Sequence, residues 1–166
     1  MAKQLLLIRH GKSDWGNSSL SDFDRPLNPR GHSNAPEMAR RILAKGQVPQ
    51  LIVSSPALRA ITTARYFSEV WEMPYENIQT ESGIYEANKT ALLQIVNALD
   101  NRYDRIAVFG HNPGFTEIAN YLSNAEIYNL PTCGTVLIEF DTDDWAEVSR
   151  DSGKLIAFDY PKNEDA

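Results

Sequence analysis

The run Leu5-Leu6-Leu7-Ile8-Arg9-His10-Gly11 decides the fold. Its four apolar residues follow one another without polar alternation, the pattern of a strand covered on both faces in a parallel sheet. The run then ends on an arginine, a histidine and a glycine. Two further stretches repeat this arrangement. Leu51-Ile52-Val53 leads into Ser54-Ser55-Pro56-Ala57-Leu58-Arg59, and Ile106-Ala107-Val108-Phe109 leads into Gly110-His111-Asn112-Pro113. The chain has three histidines, and two of them directly follow such a run.

Helical patterns lie between the runs. After Pro36, the residues Met38, Ile42 and Leu43 share one side, and Gly46 ends the helix. Ser55 is expected as an N-cap with Pro56 at the first helical position, opening a helix whose buried stripe is Leu58, Ile61, Phe67 and Val70. Leu92, Ile95, Val96 and Leu99 mark a third helix. Asn112 and Pro113 are expected to cap and begin a fourth, with Phe115, Ile118 and Leu122 inside. The alternation predicts an α/β fold, a three-layer sandwich with a mostly parallel central sheet and helices on both faces. The end of the chain differs. Val136, Ile138 and Phe140 alternate with other residues, 141–144 turn, and Ala146-Glu147-Val148 and Ile156-Ala157-Phe158 follow, which reads as an antiparallel edge. One domain is expected over residues 1–161, with 162–166 as a frayed tail. Residues 12–27, rich in Ser, Asp, Asn and Gly, form the longest irregular piece, and loops of that length are often functional.

A chain of 166 residues is long enough for one core without staples. Hydrophobic residues at 42% and charged residues at 23% are the balance of a globular protein. The net charge of -6 argues against nucleic acid and anionic membranes as main partners, so an anionic substrate must be drawn by local positive charge. No stretch approaches the roughly 20 apolar residues of a membrane span. The first residues lack the pattern of a leader peptide, and the cytoplasm is the expected location. The single cysteine, Cys133, excludes an intrachain disulfide and reads as a small residue near a strand start rather than a reactive thiol.

Open α/β sheets bind ligands beyond the carboxyl ends of their strands. Arg9, His10 and His111 stand at two such ends, and Arg59 falls in the first turn of a helix after a third. Helix N-termini favour anions, and guanidinium forks suit phosphoryl oxygens. Gly11 lets the backbone pass close to a ligand. Arg9, His10, Arg59 and His111 are therefore the candidate phosphate-binding and catalytic residues. Other phosphoryl chemistries lack their signatures. There is no HExxH, cysteine pair or aspartate-rich loop for a metal, no GxxxxGK[ST] for a nucleotide, and no Cys-x5-Arg loop. What remains is an imidazole nucleophile. His10 is expected to attack phosphorus and carry the group as phosphohistidine until water releases it. Arg9, Arg59 and His111 would stabilise the charge on the equatorial oxygens. No metal or cofactor is expected. His32 follows no apolar run and reads as a surface or capping residue. Trp15 and Phe23 either wall the pocket or anchor the loop.

These residues resemble the histidine phosphatase superfamily. Arg9-His10-Gly11 looks like its nucleophile motif, Ser54-Ser55-Pro56 with Arg59 and Thr63-Ala64 its second phosphate-binding segment, and Gly110-His111-Asn112 its second catalytic histidine. The segments Arg9-His10-Gly11-Lys12-Ser13-Asp14-Trp15 and Ser21-Asp22-Phe23-Asp24-Arg25-Pro26-Leu27-Asn28-Pro29-Arg30-Gly31 are similar to the short phosphohistidine phosphatases of the SixA type. That resemblance implies a compact phosphoglycerate mutase-like core and hydrolysis of phosphohistidine on proteins, including phosphotransfer domains. In mutases and phosphomonoesterases of the superfamily a Glu usually follows the Arg-His-Gly, with an Asn soon after. Here Lys12 replaces that Glu, Gly16 sits where the Asn is expected, and the glycine-rich stretch after the acid is absent. Glu86 is the nearest match to the acid that protonates a leaving alkoxide, with Glu81 a lesser candidate. Imidazole leaves phosphorus more readily than an alkoxide, so a site for P–N cleavage can omit that acid. Two alternatives stand beside a protein phosphohistidine phosphatase. One is a phosphomonoesterase for small esters, and the other is a non-catalytic module that binds phosphoproteins.

Overall fold

The computed structural model of the chain describes residues 2–163. Ten main elements run in the order β1 (Lys3–Arg9), α1 (Pro29–Ala44), β2 (Leu51–Ser54), α2 (Leu58–Val70), β3 (Gln79–Thr80), α3 (Lys89–Asn97), β4 (Arg105–Gly110), α4 (Gly114–Leu122), β5 (Thr135–Phe140) and β6 (Gly153–Asp159). The strands form one six-stranded sheet in the order β3-β2-β4-β1-β5-β6. β1 pairs with β4 in parallel, and β4 pairs with β2 likewise. β5 runs antiparallel to both β1 and β6, which makes the expected antiparallel edge.

The apolar run of β1 is continuous because each face has its own core. Leu5 and Leu7 pack with Leu92 and Val96 of α3 and Phe115, Ile118 and Leu122 of α4. Leu6 and Ile8 pack with Met38 and Ile42 of α1 and Ala64 and Phe67 of α2. Three layers follow from this alternation. Lys3, at the start of β1, is buried with its ammonium on the Asp104 carboxylate and the carbonyls of Asn101 and Tyr103. Among the described residues no helix is long and apolar enough to cross a membrane.

Several helix boundaries differ from the sequence reading. α1 begins at Pro29, where the Asn28 side chain accepts from the Gly31 amide, and it runs through Pro36. A complete Asn-Pro start signal precedes the internal proline and overrides it. Leu43 is half exposed, because the buried stripe is Ala35, Met38, Ala39 and Ile42. α2 begins at Leu58, after Ala57, instead of at Pro56. The Ser55 hydroxyl instead accepts from the Ala57 amide in the turn before the helix. The buried face of α2 is Arg59, Ala60, Thr63, Ala64, Phe67 and Ser68, which turns Leu58 outward. α4 begins one residue later than expected, at Gly114, while Asn112 Oδ1 still accepts from the Thr116 amide. Ala146 and Glu147 lie in a short 3-10 turn rather than a strand. β3, only two exposed residues long, carries no periodic signal. Of the expected tail 162–166, residues 164–166 lie outside the described residues.

The loop after β1 is tied at its base. Ser13 bridges to Leu27, the Asp14 amide donates to Pro26 O at 2.8 Å, and the Asn28 amide donates to Lys12 O at 2.9 Å. The first turn of α1 presses on this base. A Cβ at Gly31 would lie 2.3 Å from Lys12 O, and one at Gly11 would lie 3.1 Å from Gly31 Cα. Two glycines thus let α1 sit against the strand end that carries His10. Gly31→Ala is expected to cost about 1–3 kcal/mol through overpacking against backbone. Urea unfolding of the two proteins checks this, and an unchanged midpoint would show that α1 can shift freely.

Candidate active site

β1 and β4 are neighbours in parallel register, with Arg9 paired to Gly110, so their next residues stand side by side. The His10 amide donates to Gly110 O at 3.0 Å. The ring centroids of His10 and His111 are 5.2 Å apart. From here the chain leaves for opposite faces of the sheet, to α1 after His10 and to α4 after His111. A crevice opens where neighbouring strands send their connections in opposite directions. Arg59, on the first turn of α2, enters from the third strand end and donates from Nε to His10 Nε2 at 3.3 Å. His10, Arg59 and His111 are 6%, 5% and 9% exposed.

The hydrogen bonds assign the His10 tautomer. Nδ1 lies 2.7 Å from Gly11 O, and a carbonyl only accepts, so the proton sits on Nδ1. The Nε2 lone pair then faces Arg59 Nε. Burial, then His111, Arg59 and Arg9, lower the His10 pKa to about 3 against the help of the Gly11 carbonyl. Burial and Arg59 lower that of His111 to about 4. Both rings are neutral near pH 7. His111 Nε2 lies 2.8 Å from the Ser55 hydroxyl, and its Nδ1 is buried without a partner among the described residues. Arg9 donates from Nη1 to Leu130 O at 2.8 Å, while its Nε is also buried and unpartnered there. Thr63, behind Arg59, accepts from the Gly11 amide at 3.0 Å and donates to Arg59 O at 2.7 Å.

The four residues expected at the site are thus together. Glu86 is near them but held differently. It lines a cavity of about 440 Å³ with Asp22, Arg59, Tyr85, His111 and Glu117. Its backbone is left-handed at φ 60°, its side chain is exposed, and it makes no hydrogen bond among the described residues. Glu81 is elsewhere, capping the Gly83 amide and lining a different cavity beside α3. His32 pairs with the Tyr66 hydroxyl at 2.7 Å, as a surface residue. Phe23 meets Tyr85 edge-on at 5.2 Å, at the cavity's rim, whereas Trp15 is exposed and stacks on the Arg25 guanidinium. Among the described residues, no group of three or more His, Cys, Asp or Glu side chains is placed to hold a metal ion.

Asp22, from the loop after β1, was not singled out by the sequence. Its carboxylate accepts from Tyr85 OH at 2.5 Å, Arg25 Nη2 at 3.0 Å and Arg59 Nη2 at 3.0 Å. Its carbonyl accepts from Arg59 Nη1 at 2.6 Å. Arg25 in turn donates to the Ser13 hydroxyl. The Tyr85 hydroxyl, then Arg25 and Arg59, hold the Asp22 carboxyl well below the usual range. Asp22 therefore occupies both terminal nitrogens of Arg59, Nη2 through its carboxylate and Nη1 through its backbone carbonyl, and Nε points at His10. The segment 130–134 was also missed. Besides Leu130 O, it supplies the Cys133 amide to His10 O at 2.9 Å and the Gly134 carbonyl to the Arg9 amide at 3.1 Å. These contacts come from loops, where periodicity carries no information.

Known proteins place this arrangement. The sequence pattern of the histidine phosphatase superfamily (branch 1) matches residues 5–90. An uncharacterized chloroplastic protein of Arabidopsis thaliana is 31% identical over 161 residues, covering 92% of this chain and 73% of that one. The structure of the protein histidine phosphatase SixA complexed with tungstate superposes with a TM-score of 0.81 at 20% identity, over 96% of this chain and 98% of that one. A candidate phosphohistidine phosphatase SixA of Agrobacterium tumefaciens superposes with a TM-score of 0.80 at 24% identity, with the same coverage of 96% and 98%. At these identities the superpositions establish a shared fold.

Two outcomes follow from the geometry. An unfolded histidine takes up its proton near pH 6.5, whereas folded His10 and His111 do so only near 3 and 4. The unfolded state binds more protons in that window, so stability falls as pH drops from about 6.5 towards 4. His10→Asn should flatten part of this fall in urea titrations across the window, and an unaltered slope would mean that His10 titrates normally. Asp22→Asn should remove the counter-charge at Arg59 Nη2, while the backbone carbonyl keeps Nη1, and tighten tungstate binding about two- to fivefold, the scale of an exposed ion pair. Calorimetric titration reads this, and weaker binding would assign Asp22 to holding Arg59 in place instead.

Proposed function

The chain belongs to the histidine phosphatase superfamily, and we propose that it is a SixA-type phosphatase that hydrolyses phosphohistidine on a protein through phospho-His10. The observation that carries this reading is a pair of buried nitrogens without a hydrogen-bond partner among the described residues, Arg9 Nε and His111 Nδ1, beside the neutral imidazole of His10, whose Nε2 lone pair meets Arg59 Nε. A phosphoryl group at His10 Nε2 supplies the oxygens these donors lack. His111 then donates from Nδ1 while its Nε2 accepts from Ser55. The positive charge comes from Arg9 and Arg59, so the proposed reaction uses no metal and no cofactor.

The steps balance without a protein acid. His10 Nε2 attacks phosphorus as the P–N bond to the substrate imidazole breaks. A substrate ring protonated on its other nitrogen leaves as neutral imidazole. His10 carries the phosphoryl group on Nε2 and positive charge shared with Nδ1–H, which the Gly11 carbonyl stabilises. Water then attacks phosphorus, the P–Nε2 bond breaks, and both water hydrogens leave on dihydrogen phosphate. An alkoxide needs a proton delivered at the moment of cleavage, and a positioned donor is worth about a hundredfold or more. Nothing holds Glu86 for that task.

Rapid quench with a phosphorylated phosphotransfer domain should yield an acid-labile, base-stable label on the protein. His10→Ala should remove the label and lower turnover by about three orders of magnitude or more. Glu86→Gln should leave phosphohistidine turnover within about twofold, since it removes no contact to the phosphoryl group. Label and turnover mainly from a small phosphomonoester, lost in Glu86→Gln, would establish the esterase alternative. Phosphoprotein binding with no label and no turnover would establish the binding module.

A further inference from the structure

A second cavity, of about 260 Å³, lies against the backbone that holds His10. One wall is Lys12, two residues beyond His10, with Arg30 and Asn34 on α1. Another is Thr132, in the segment whose Leu130 carbonyl takes Arg9 and whose Cys133 amide binds His10 O. Tyr160 and Lys162 close it. Lys12, Arg30 and Lys162 are exposed and make no ion pair among the described residues. Among the described residues no carboxylate lines this cavity, although the chain as a whole carries a net charge of -6. The catalytic cavity has the opposite lining, with Asp22, Glu86 and Glu117 against the single cation Arg59. The two cavities share no lining residue. His10 lines neither cavity, so a small phosphate compound held there has no need of the basic one, whereas a protein surface around a phosphohistidine extends beyond His10 towards it.

We infer that the Lys12–Arg30–Lys162 cavity docks acidic side chains that flank the phosphohistidine of a protein substrate. This rests on the phosphohistidine reading above and adds a substrate class to it, phosphohistidine set in an acidic surface. Cations at the rim of a site steer such a surface and fix its orientation, with little effect on the chemical step. The acidic lining of the catalytic cavity fits the same orientation. It repels a carboxylate-rich segment from the Glu86 side and leaves the basic side as its landing.

The test uses free phosphohistidine and three synthetic peptides of equal length, each with one central histidine phosphorylated by phosphoramidate. Their flanks are Asp and Glu, Ser and Gly, or Lys. Wild type should prefer the acidic peptide over the lysine peptide by about tenfold in kcat/KM, the sum of a few rim charges. The preference should lie in KM and shrink in high salt. Arg30→Glu with Lys162→Glu should invert the order and leave free phosphohistidine turnover unchanged. Lys162→Glu alone should remove about half of the preference. Equal rates on all three peptides, or an order unaltered in the double variant, would overturn the docking assignment. A matching loss on free phosphohistidine would overturn it too, making the cavity part of the catalytic centre. If wild type hydrolyses neither the peptides nor free phosphohistidine, the functional reading itself falls and the docking assignment with it.

Discussion

The site depends on one pairing, the parallel ladder between β1 and β4. Arg9 opposite Gly110 fixes where His10 and His111 emerge, and the hydrogen bond from the His10 amide to Gly110 O carries the pairing one residue past the strand. Both strands are buried on both faces, so a slip of one residue would turn two separate cores inside out. The position of the imidazoles is therefore specified by hydrophobic burial at the centre of the sheet. The glycines at 11 and 31 extend that precision to α1, and α4 begins directly behind His111.

The site keeps two buried imidazoles neutral beside two guanidiniums. Burial above all keeps the histidines from taking up a proton, and the fixed charge of the arginines adds to it. Asp22 moderates the arrangement from outside. It reaches Arg59 and Arg25 at once and is steadied by Tyr85, which itself packs against His111 at 5.5 Å between ring centroids. The loop after β1 thus contributes a counter-charge on the solvent side while His10 sits on the protein side. This division suits the proposed reaction, in which both leaving groups are imidazoles and no proton has to be delivered.

The sequence carried much of this, for physical reasons that also set its limits. The apolar runs of β1, β2 and β4 were readable because burial on both faces leaves no polar alternation, and the strand ends marked Arg9, His10 and His111. Arg59 was readable from its place just beyond a run. The starts of α1 and α2 were misread because a proline was weighed more than the complete signal around it, Asn28-Pro29 in one case and the Ser55 turn in the other. The face of α2 was misread because its buried residues are small or polar, with Ala60, Thr63 and Ala64 allowing close approach and Arg59 serving the site. Asp22, Tyr85 and the segment 130–134 had no periodic signal, since their positions follow from tertiary contacts between loops. Glu86 was placed at the cavity by resemblance, and its exposure became visible only in three dimensions.

Cys133 sits directly under the backbone of His10, fully buried, with a left-handed φ of 60° and its thiol pKa pushed up by burial. A peroxide reacts with thiolates, and enzymes that attack phosphorus through a thiolate lose activity when that sulfur is oxidised. In the proposed reaction the attacking atom is an imidazole nitrogen, and the one sulfur of a cysteine is sealed and protonated. Turnover at His10 would continue through an oxidative burst. A phosphohistidine mark under this protein's control would then be erased at the same pace in stressed and unstressed cells, its lifetime insulated from redox state by the choice of nucleophile.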